Sequence, residues 1–418
     1  MKPKGPALIF STVLPEPESS AAGVRQMQWI HALLRAAGRV VLMSPSAPKK
    51  PVDWGYISFP PGVEVRSCAL NDWSLSELIR EMDPAVVLFD RFITEEQFGP
   101  LIQEAAPRAL RLLETQDLHF LRRARGRGER DPGLWKGADA IRETAAILRS
   151  DHAFVVSSFE AELLNREFGI GTDHVSWIPF SYSEGGGEGR AQGFEGRSGF
   201  QFIGNFRHAP NMDGLRWFLS EVWPGIRNRL PGIEVKIHGA YPSAEVSGWH
   251  RPKENGVRVI GSVRELKEAF RGVRVNLAPL RFGAGVKGKV LDGFHHGVPA
   301  VSTLIAAEGL MPLANPLPFP GLLAGSPEEW VEACVRLHED PLLWEEARSR
   351  AALLMESFYS AHKVERLLDA RIEELFAAQE RGETPRWLSR ILRDEFQSGR
   401  KYFSKWIEAK SQASVENR

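Results

Sequence analysis

The sequence predicts an α/β protein: two Rossmann-like, doubly wound parallel-sheet domains facing across a cleft, followed by C-terminal helices. Three observations predict it. Short apolar, β-branched runs alternate with helical patterns through most of the chain, as β–α–β units require. A glycine-rich stretch of low apolar content, SYSEGGGEGRAQGFEGRS at 181–198, interrupts that alternation and reads as a flexible connection. The 418 residues suit two domains of roughly 100–200 residues with extensions. The expected organisation is a first domain at 1–180, a linker at 181–198, a second domain at 199–358, and helices with a tail at 359–418.

In the first domain, strands are expected at Ala7–Leu14, Val40–Met43, Ala85–Phe89, Leu110–Leu113 and Ala153–Val156. Helical periodicity lies between them, at Ala21–Ala37, Ser74–Glu81, Glu95–Ala106, Ala138–Ser150 and Ser158–Glu167, and the unit ends at Val175–Pro179. In the second, strands are expected at Gly199–Ile203, Ile233–Ile237, Val257–Ile260, Val273–Leu277 and Ala300–Ser302. Its helices are expected at Asn211–Asn228, Val263–Phe270 and Gly288–His296. From Ser326 the pattern is helical throughout, and Ser326 with Glu329 forms a capping-box sequence.

Composition narrows the function. Lys plus Arg and Asp plus Glu both number 53, so a general nucleic-acid binder, which needs a surplus of cations, is not expected. Cys68 and Cys334 stand far apart, without metal-ligand spacing; neither a disulfide framework nor a metal site is expected. The start of the chain lacks a signal-type apolar region, and no run reaches the ~20 apolar residues of a membrane span. A cytoplasmic protein is expected, with peripheral contact at the inner membrane face as its closest approach to a bilayer. That contact would fall to the tail at 384–410, where seven Lys/Arg interleave with Trp387, Phe396, Tyr402, Phe403 and Trp406. The plainer reading of the tail is a helix packed across the body.

The stretch with the most chemistry runs from Asn276 to Thr303. A strand leads into a loop with Gly283, Gly285 and Gly288, then into a helix whose first turn carries Lys287 and Lys289. Glycines admit close backbone approach. A helix N-terminus offers free N–H groups and positive potential to a diphosphate. Lysines there oppose the dipole, so two of them point to a compensating anion. Asp292 follows Lys289 on the same face and can accept ribose hydroxyls. The plainer alternative is an ordinary β–α–β crossover with surface lysines.

This stretch resembles the donor-binding segment of retaining GT-B glycosyltransferases, the bacterial group 1 or family 4-like enzymes. Their pattern P-L-R-x-G-x-G-x-x-x-K-x-L-E-A is matched by Pro279-Leu-Arg-Phe-Gly-Ala-Gly and Lys289-Val-Leu-Asp292, and continues through Gly297-Val-Pro299, Ser302-Thr303 and Ala306-Ala-Glu-Gly-Leu310. The resemblance implies a GT-B fold with Lys289 on the diphosphate and Asp292 on the ribose. Gly204, Arg207, Gly283, Gly285 and Val286 complete the donor contacts it implies. The family places two Glu with seven residues between them; the second falls on Asp292 and the first on Ala284, which leaves that sugar contact to loop N–H groups.

Two further stretches extend the likeness. Phe202–Asp213 resembles the opening strand, loop and helix of a donor domain, with Asn211 and Asp213 as capping residues. Leu110–Arg123 resembles the family's cleft turn, which offers Asp117 and His119 as catalytic candidates beside Lys289. Gly23 and Arg25, after the first strand, are the acceptor-side candidates. Arg122–Arg130, five Arg in nine residues, reads as a surface loop near an anionic acceptor. His238 reads as a satisfied core histidine.

The implied activity is glycosyl transfer from a nucleotide diphosphate sugar, as co-substrate and without a resident cofactor, to a glycan, lipid or protein acceptor in polysaccharide biosynthesis or a related pathway. Two alternatives stay open: a non-catalytic nucleotide-sugar-binding or assembly protein, kept alive by Ala284, and a GT-B nucleotide-sugar epimerase.

Overall fold

The structure is a computed structural model and describes residues 4–18, 20–47, 59–129, 136–186, 192–263, 265–313, 316–384, 386–396 and 399. Most of the tail at 384–410 and part of the glycine-rich stretch therefore lie outside the described residues.

Two all-parallel sheets form. The first holds β1 (Ala7–Phe10), β2 (Val40–Ser44), β3 (Val63–Ser67), β4 (Val86–Asp90), β5 (Leu110–Glu114), β6 (His152–Val155) and β7 (Val175–Trp177). The second holds β8 (Phe200–Ile203), β9 (Val235–His238), β10 (Val257–Gly261), β11 (Val275–Ala278), β12 (Ala300–Ser302) and β13 (Gly321–Leu323). Their orders are β3-β2-β1-β4-β5-β6-β7 and β10-β9-β8-β11-β12-β13. Each winds outward in both directions from a central pair, so the expected doubly wound architecture is present twice. The central strands are apolar on both faces because helices cover both: β1, β2, β4 and β5 are buried along their whole length.

Three strands escaped the sequence reading or were cut short in it. Strand β3 is half-buried along its whole length, so its apolar signal is weak. Strands β7 and β13 have three residues each, too few for periodicity to register. The helix expected at Asn211–Asn228 is Ala209–Trp217, a π turn at Phe218–Val222, and Trp223–Arg229. Pro224 lies just beyond the π turn and lacks an amide hydrogen, so a widened turn absorbs the lost bond.

Two chain crossings join the domains side by side. Tyr182 N–H donates to the Tyr359 carbonyl at 2.8 Å, and Ala361 N–H donates to the Tyr182 carbonyl at 2.9 Å. The chain then returns to the first domain. Helix Ala361–Glu380 buries Val364, Leu368, Ile372 and Leu375 against Trp29, Ile30 and Leu33. Arg35 clamps Asp369 at 2.8 and 2.9 Å. A helix at 387–396 follows, with Ser389 and Arg393 buried and Arg393 donating to Asp151 at 2.7 Å. The described part of the tail is therefore packed on the body. Trp387, Leu388 and Ile391 remain exposed on it.

Candidate functional site

The carboxyl ends of both sheets point into the interdomain space, where ligands of such sheets bind. From the second domain, the loop after β11 runs from Pro279 to Lys287 and opens helix Gly288–His295. Gly283 and Gly285 both hold positive φ, 147° and 68°, backbone that β-carbon-bearing residues avoid. Space demands glycine as well. A β-carbon on Gly285 would stand 2.8 Å from Asp117 Cβ, and one on Gly288 would stand 2.9 Å from Ala21 Cβ. The loop therefore presses directly on the first domain.

That contact is specific. Gly285 N–H donates to Glu160 Oε1 at 2.7 Å, and Leu118 N–H donates to the same oxygen at 3.0 Å. Glu160 is fully buried, and burial pushes its carboxyl up to about 8. Ala284 inserts into the first domain's apolar cluster. A glutamate in its place would carry a carboxylate into that cluster, which gives a packing reason for the departure at this position. Arg125 donates to Glu308 at 2.7 and 2.9 Å, and to the Gly283 carbonyl at 2.9 Å.

Lys289 Nζ donates to Asn211 Oδ1 at 2.7 Å and sits 4.1 Å from the centre of the Phe202 ring. A β-carbon on Gly204 would lie 2.8 Å from that ammonium, so glycine at the end of β8 keeps the lysine's place open. Burial pulls Lys289 down to about 7 and pushes Asp292 up to about 7. Asp292 Oδ1 accepts the Tyr182 hydroxyl at 2.8 Å. Lys289 and Asp292 both stand on helix Gly288–His295, each with its own hydrogen-bond partner. Lys287 behaves differently: its ammonium folds back on the Ala284 and Gly285 carbonyls, at 3.1 and 2.5 Å, and burial brings it to about 8. Val286 is buried in the loop. Arg207 stands exposed with its guanidinium 3.8 Å from the Tyr241 ring centre. Tyr241 OH in turn reaches Glu16 of the first domain at 3.2 Å.

The first-domain candidates fall into two groups. Asp117 lies at the contact with Gly285, beside Arg122 at 2.5 Å and His119 Nε2 at 3.4 Å. Burial works to raise its pKa, but Arg122, His119 and Arg91 outweigh burial and hold it low. His119 is buried edge-on to Phe92, with ring centres 5.4 Å apart, and burial depresses it to about 4, so its ring is neutral near pH 7. Gln116, in the same turn, donates to Asp90 Oδ1 at 2.8 Å.

Gly23 and Arg25 serve their own domain. A β-carbon on Gly23 would meet the Glu16 backbone at 2.4 Å, so the loop after β1 closes over it. Arg25 is fully buried and donates to Glu114 at 2.9 and 2.8 Å and to the Pro179 carbonyl at 3.2 Å. Its charge is used inside the core rather than at the cleft.

Other expectations need correction. Helix Ala209–Trp217 starts from His208, not from Asn211 or Asp213; Asn211 holds Lys289, and Asp213 pairs with Arg281. His238 is buried with neither ring nitrogen hydrogen-bonded, so it is a core histidine but not a satisfied one. Glu160 and Tyr182 carry no signal in the sequence; Arg125, expected on a surface loop, lies on helix His119–Gly126 with its side chain largely buried, and Glu308 was matched only within Ala306–Leu310. Their importance depends on the other domain's position, which no local pattern encodes.

Among the described residues, no three His, Cys, Asp or Glu side chains gather as a metal site. None of their helices is long and apolar enough to cross a membrane.

Two parallel doubly wound sheets, joined by paired crossings and facing across a glycine loop, define the GT-B fold of glycosyltransferases. Sucrose-phosphate synthase from Thermosynechococcus elongatus superimposes with a TM-score of 0.65 at 14% identity, over 90% of this chain and all of that one. HepE from Anabaena, in complex with UDP and glucose, superimposes with a TM-score of 0.62 at 11% identity, over 88% of this chain and 99% of that one. The sequence places the second domain further: residues 197–340 match the family model Glycosyl transferases group 1. An uncharacterized 44.6 kDa protein from the cps region of Klebsiella pneumoniae is 31% identical over 114 residues, a match spanning 26% of this chain and 29% of that protein.

Proposed function

We propose that this chain transfers a glycosyl group from a nucleoside diphosphate sugar to a glycan, lipid or protein acceptor, with the donor held at the N-terminus of helix Gly288–His295. One observation carries the reading. Lys289 is a desolvated ammonium at a helix N-terminus, and its hydrogen-bond partner is the neutral amide of Asn211. A diphosphate arriving there gains the lysine's charge and the helix N–H groups together. Asp292 would exchange its Tyr182 bond for ribose hydroxyls. As the bond from the anomeric carbon to the phosphate oxygen breaks, negative charge develops on the diphosphate. Lys289, Arg207 and the helix N-terminus would stabilise that charge.

The match to group 1 glycosyl transferases over residues 197–340 supports this class of activity. The neighbouring fold solved with UDP and glucose supports a nucleotide donor. Hexosyl transfer with retention rests on the resemblance of Pro279–Thr303 alone. So does the use of the nucleotide sugar without a resident cofactor. A cytoplasmic location with contact at the inner membrane face fits the exposed Trp387, Leu388 and Ile391 beside Arg390.

Calorimetry with UDP, GDP and ADP, followed by hydrolysis assays with the matching sugar conjugates, tests the proposal. Tight binding with turnover supports transfer. Binding without any turnover favours the non-catalytic alternative. No binding to any of the three removes the donor assignment. Binding should weaken as pH rises above about 7, because the free lysine loses its proton there.

A further inference from the structure

The loop 279–288 reads Pro-Leu-Arg-Phe-Gly-Ala-Gly-Val-Lys-Gly and contains no carboxylate. Its Ala284 is plugged into the other domain's apolar cluster, and the Gly285 N–H is taken by Glu160 at 2.7 Å. A glycosyl group carries several hydroxyls, and a carboxylate is the side chain that accepts two of them at once. The loop cannot supply one. We propose that Glu308 supplies it, as the residue that recognises the hydroxyls of the donor's glycosyl group. The proposal rests on the donor-site reading given above.

Glu308 stands beside the loop. It follows the short helix Leu304–Ala307 after β12, so it belongs to the donor-side domain. Arg125 ties it to the loop, since the Nη1 that donates to Glu308 at 2.7 Å also donates to the Gly283 carbonyl at 2.9 Å. Glu308 is also the largest charge acting to keep protonated the Lys287 ammonium, which folds back on the Ala284 and Gly285 carbonyls in the middle of the loop. Its side chain is 19% exposed and that of Arg125 is 13% exposed, so the pair is sheltered yet open on one side.

The geometry leaves capacity for a ligand. The guanidinium takes one lone pair from each carboxylate oxygen in a fork, which fixes the plane of the carboxylate. Each oxygen keeps a second lone pair that can accept a sugar hydroxyl. Arg125 is thus a positioning residue: it comes from the first domain, so the carboxylate is oriented only when the domains are closed.

The test compares a nucleotide with its sugar conjugate, using UDP and UDP-glucose as probes, or the best-binding nucleoside diphosphate and its hexose conjugate. Glu308→Gln should weaken the sugar conjugate on the order of tenfold or more, as loss of charge-assisted bonds does, and leave the nucleotide within about twofold. Because Glu308→Gln leaves Arg125 without its counter-charge, the double variant Arg125→Gln/Glu308→Gln is measured alongside, with melting temperatures for both. The same selective loss in the double variant supports the proposal. Equal weakening of both probes, or no change in either, overturns it. If wild type binds no nucleoside diphosphate, the donor-site reading fails, and this proposal falls with it; selective failure of the glucose arm would instead leave that reading standing.

Discussion

Both sheets reverse their winding between two adjacent strands, β1 and β4 in the first domain and β8 and β11 in the second. In the first, the chain fills that place with its own polar groups. Asp90, at the end of β4, accepts Ser11 at 2.7 Å, Gln26 at 3.0 Å and Gln116 at 2.8 Å. Beside it, Glu114 accepts Arg25 and Trp29. In the second, the same place holds Gly204, an ammonium and one amide. The crevice available to ligands in such sheets is thus closed from within on one side and kept spare on the other. Topology is shared; side chains decide which copy is filled.

The largest expected effect separates the two. Lys289→Ala should cut donor turnover on the order of 10²-fold or more, since it removes a group stabilising the leaving diphosphate, with the melting temperature nearly unchanged. Turnover close to wild type would mean that the second crevice is no more functional than the first.

Arg25→Ala tests the opposite side. It leaves Glu114 buried without its counter-charge and should cost about 3–5 kcal/mol of unfolding free energy, measured by urea titration. Nucleotide affinity should persist in the fraction that stays folded. A loss of nucleotide binding without loss of stability would show the first crevice to be a ligand site too.

Gly285→Ala acts on the contact between them. Its φ of 68° and the 2.8 Å approach to Asp117 Cβ make a methyl group costly, by about 1–3 kcal/mol. The penalty falls on domain closure, so turnover should drop while nucleotide binding to the isolated loop face survives. Full turnover would show that catalysis does not need this contact.

A pH dependence tests the same contact from the first domain's side. Between its ordinary pKa of 4.5 and its folded value of about 8, Glu160 holds a proton in the native state that the unfolded chain releases. Wild type therefore loses stability from this group as pH rises through that window. Glu160→Gln has no such proton, so its melting temperature should gain on wild type from pH 4.5 to 8 and then level off. A difference independent of pH would mean that the carboxyl is ionised throughout.

Much of this was legible locally. Helix Ala21–Ala37 was expected with those bounds, because its periodicity is long and Gly38 ends it. Ser326 and Glu329 do form the reciprocal capping box. Lys289 and Asp292 were found because helical spacing puts them on one face. Glu160, by contrast, looks in sequence like a first-turn helix acid. Only the arrival of Gly285, 125 positions away, makes it a bridge between domains. Arg25 reads as a free cation until Glu114, 89 positions away, buries it.

The sequence by itself determined the two windings, the break between them and the glycine–lysine–aspartate segment, because strand, helix and helix-terminus chemistry depend on neighbours within a few residues. The tertiary structure decided which charges remain for a ligand. Arg25, Glu160 and Arg125 are committed to partners from distant elements, and Lys289 is left with an amide. That allocation depends on burial and on which carboxylate folding brings within hydrogen-bonding distance, and neither is written in local order.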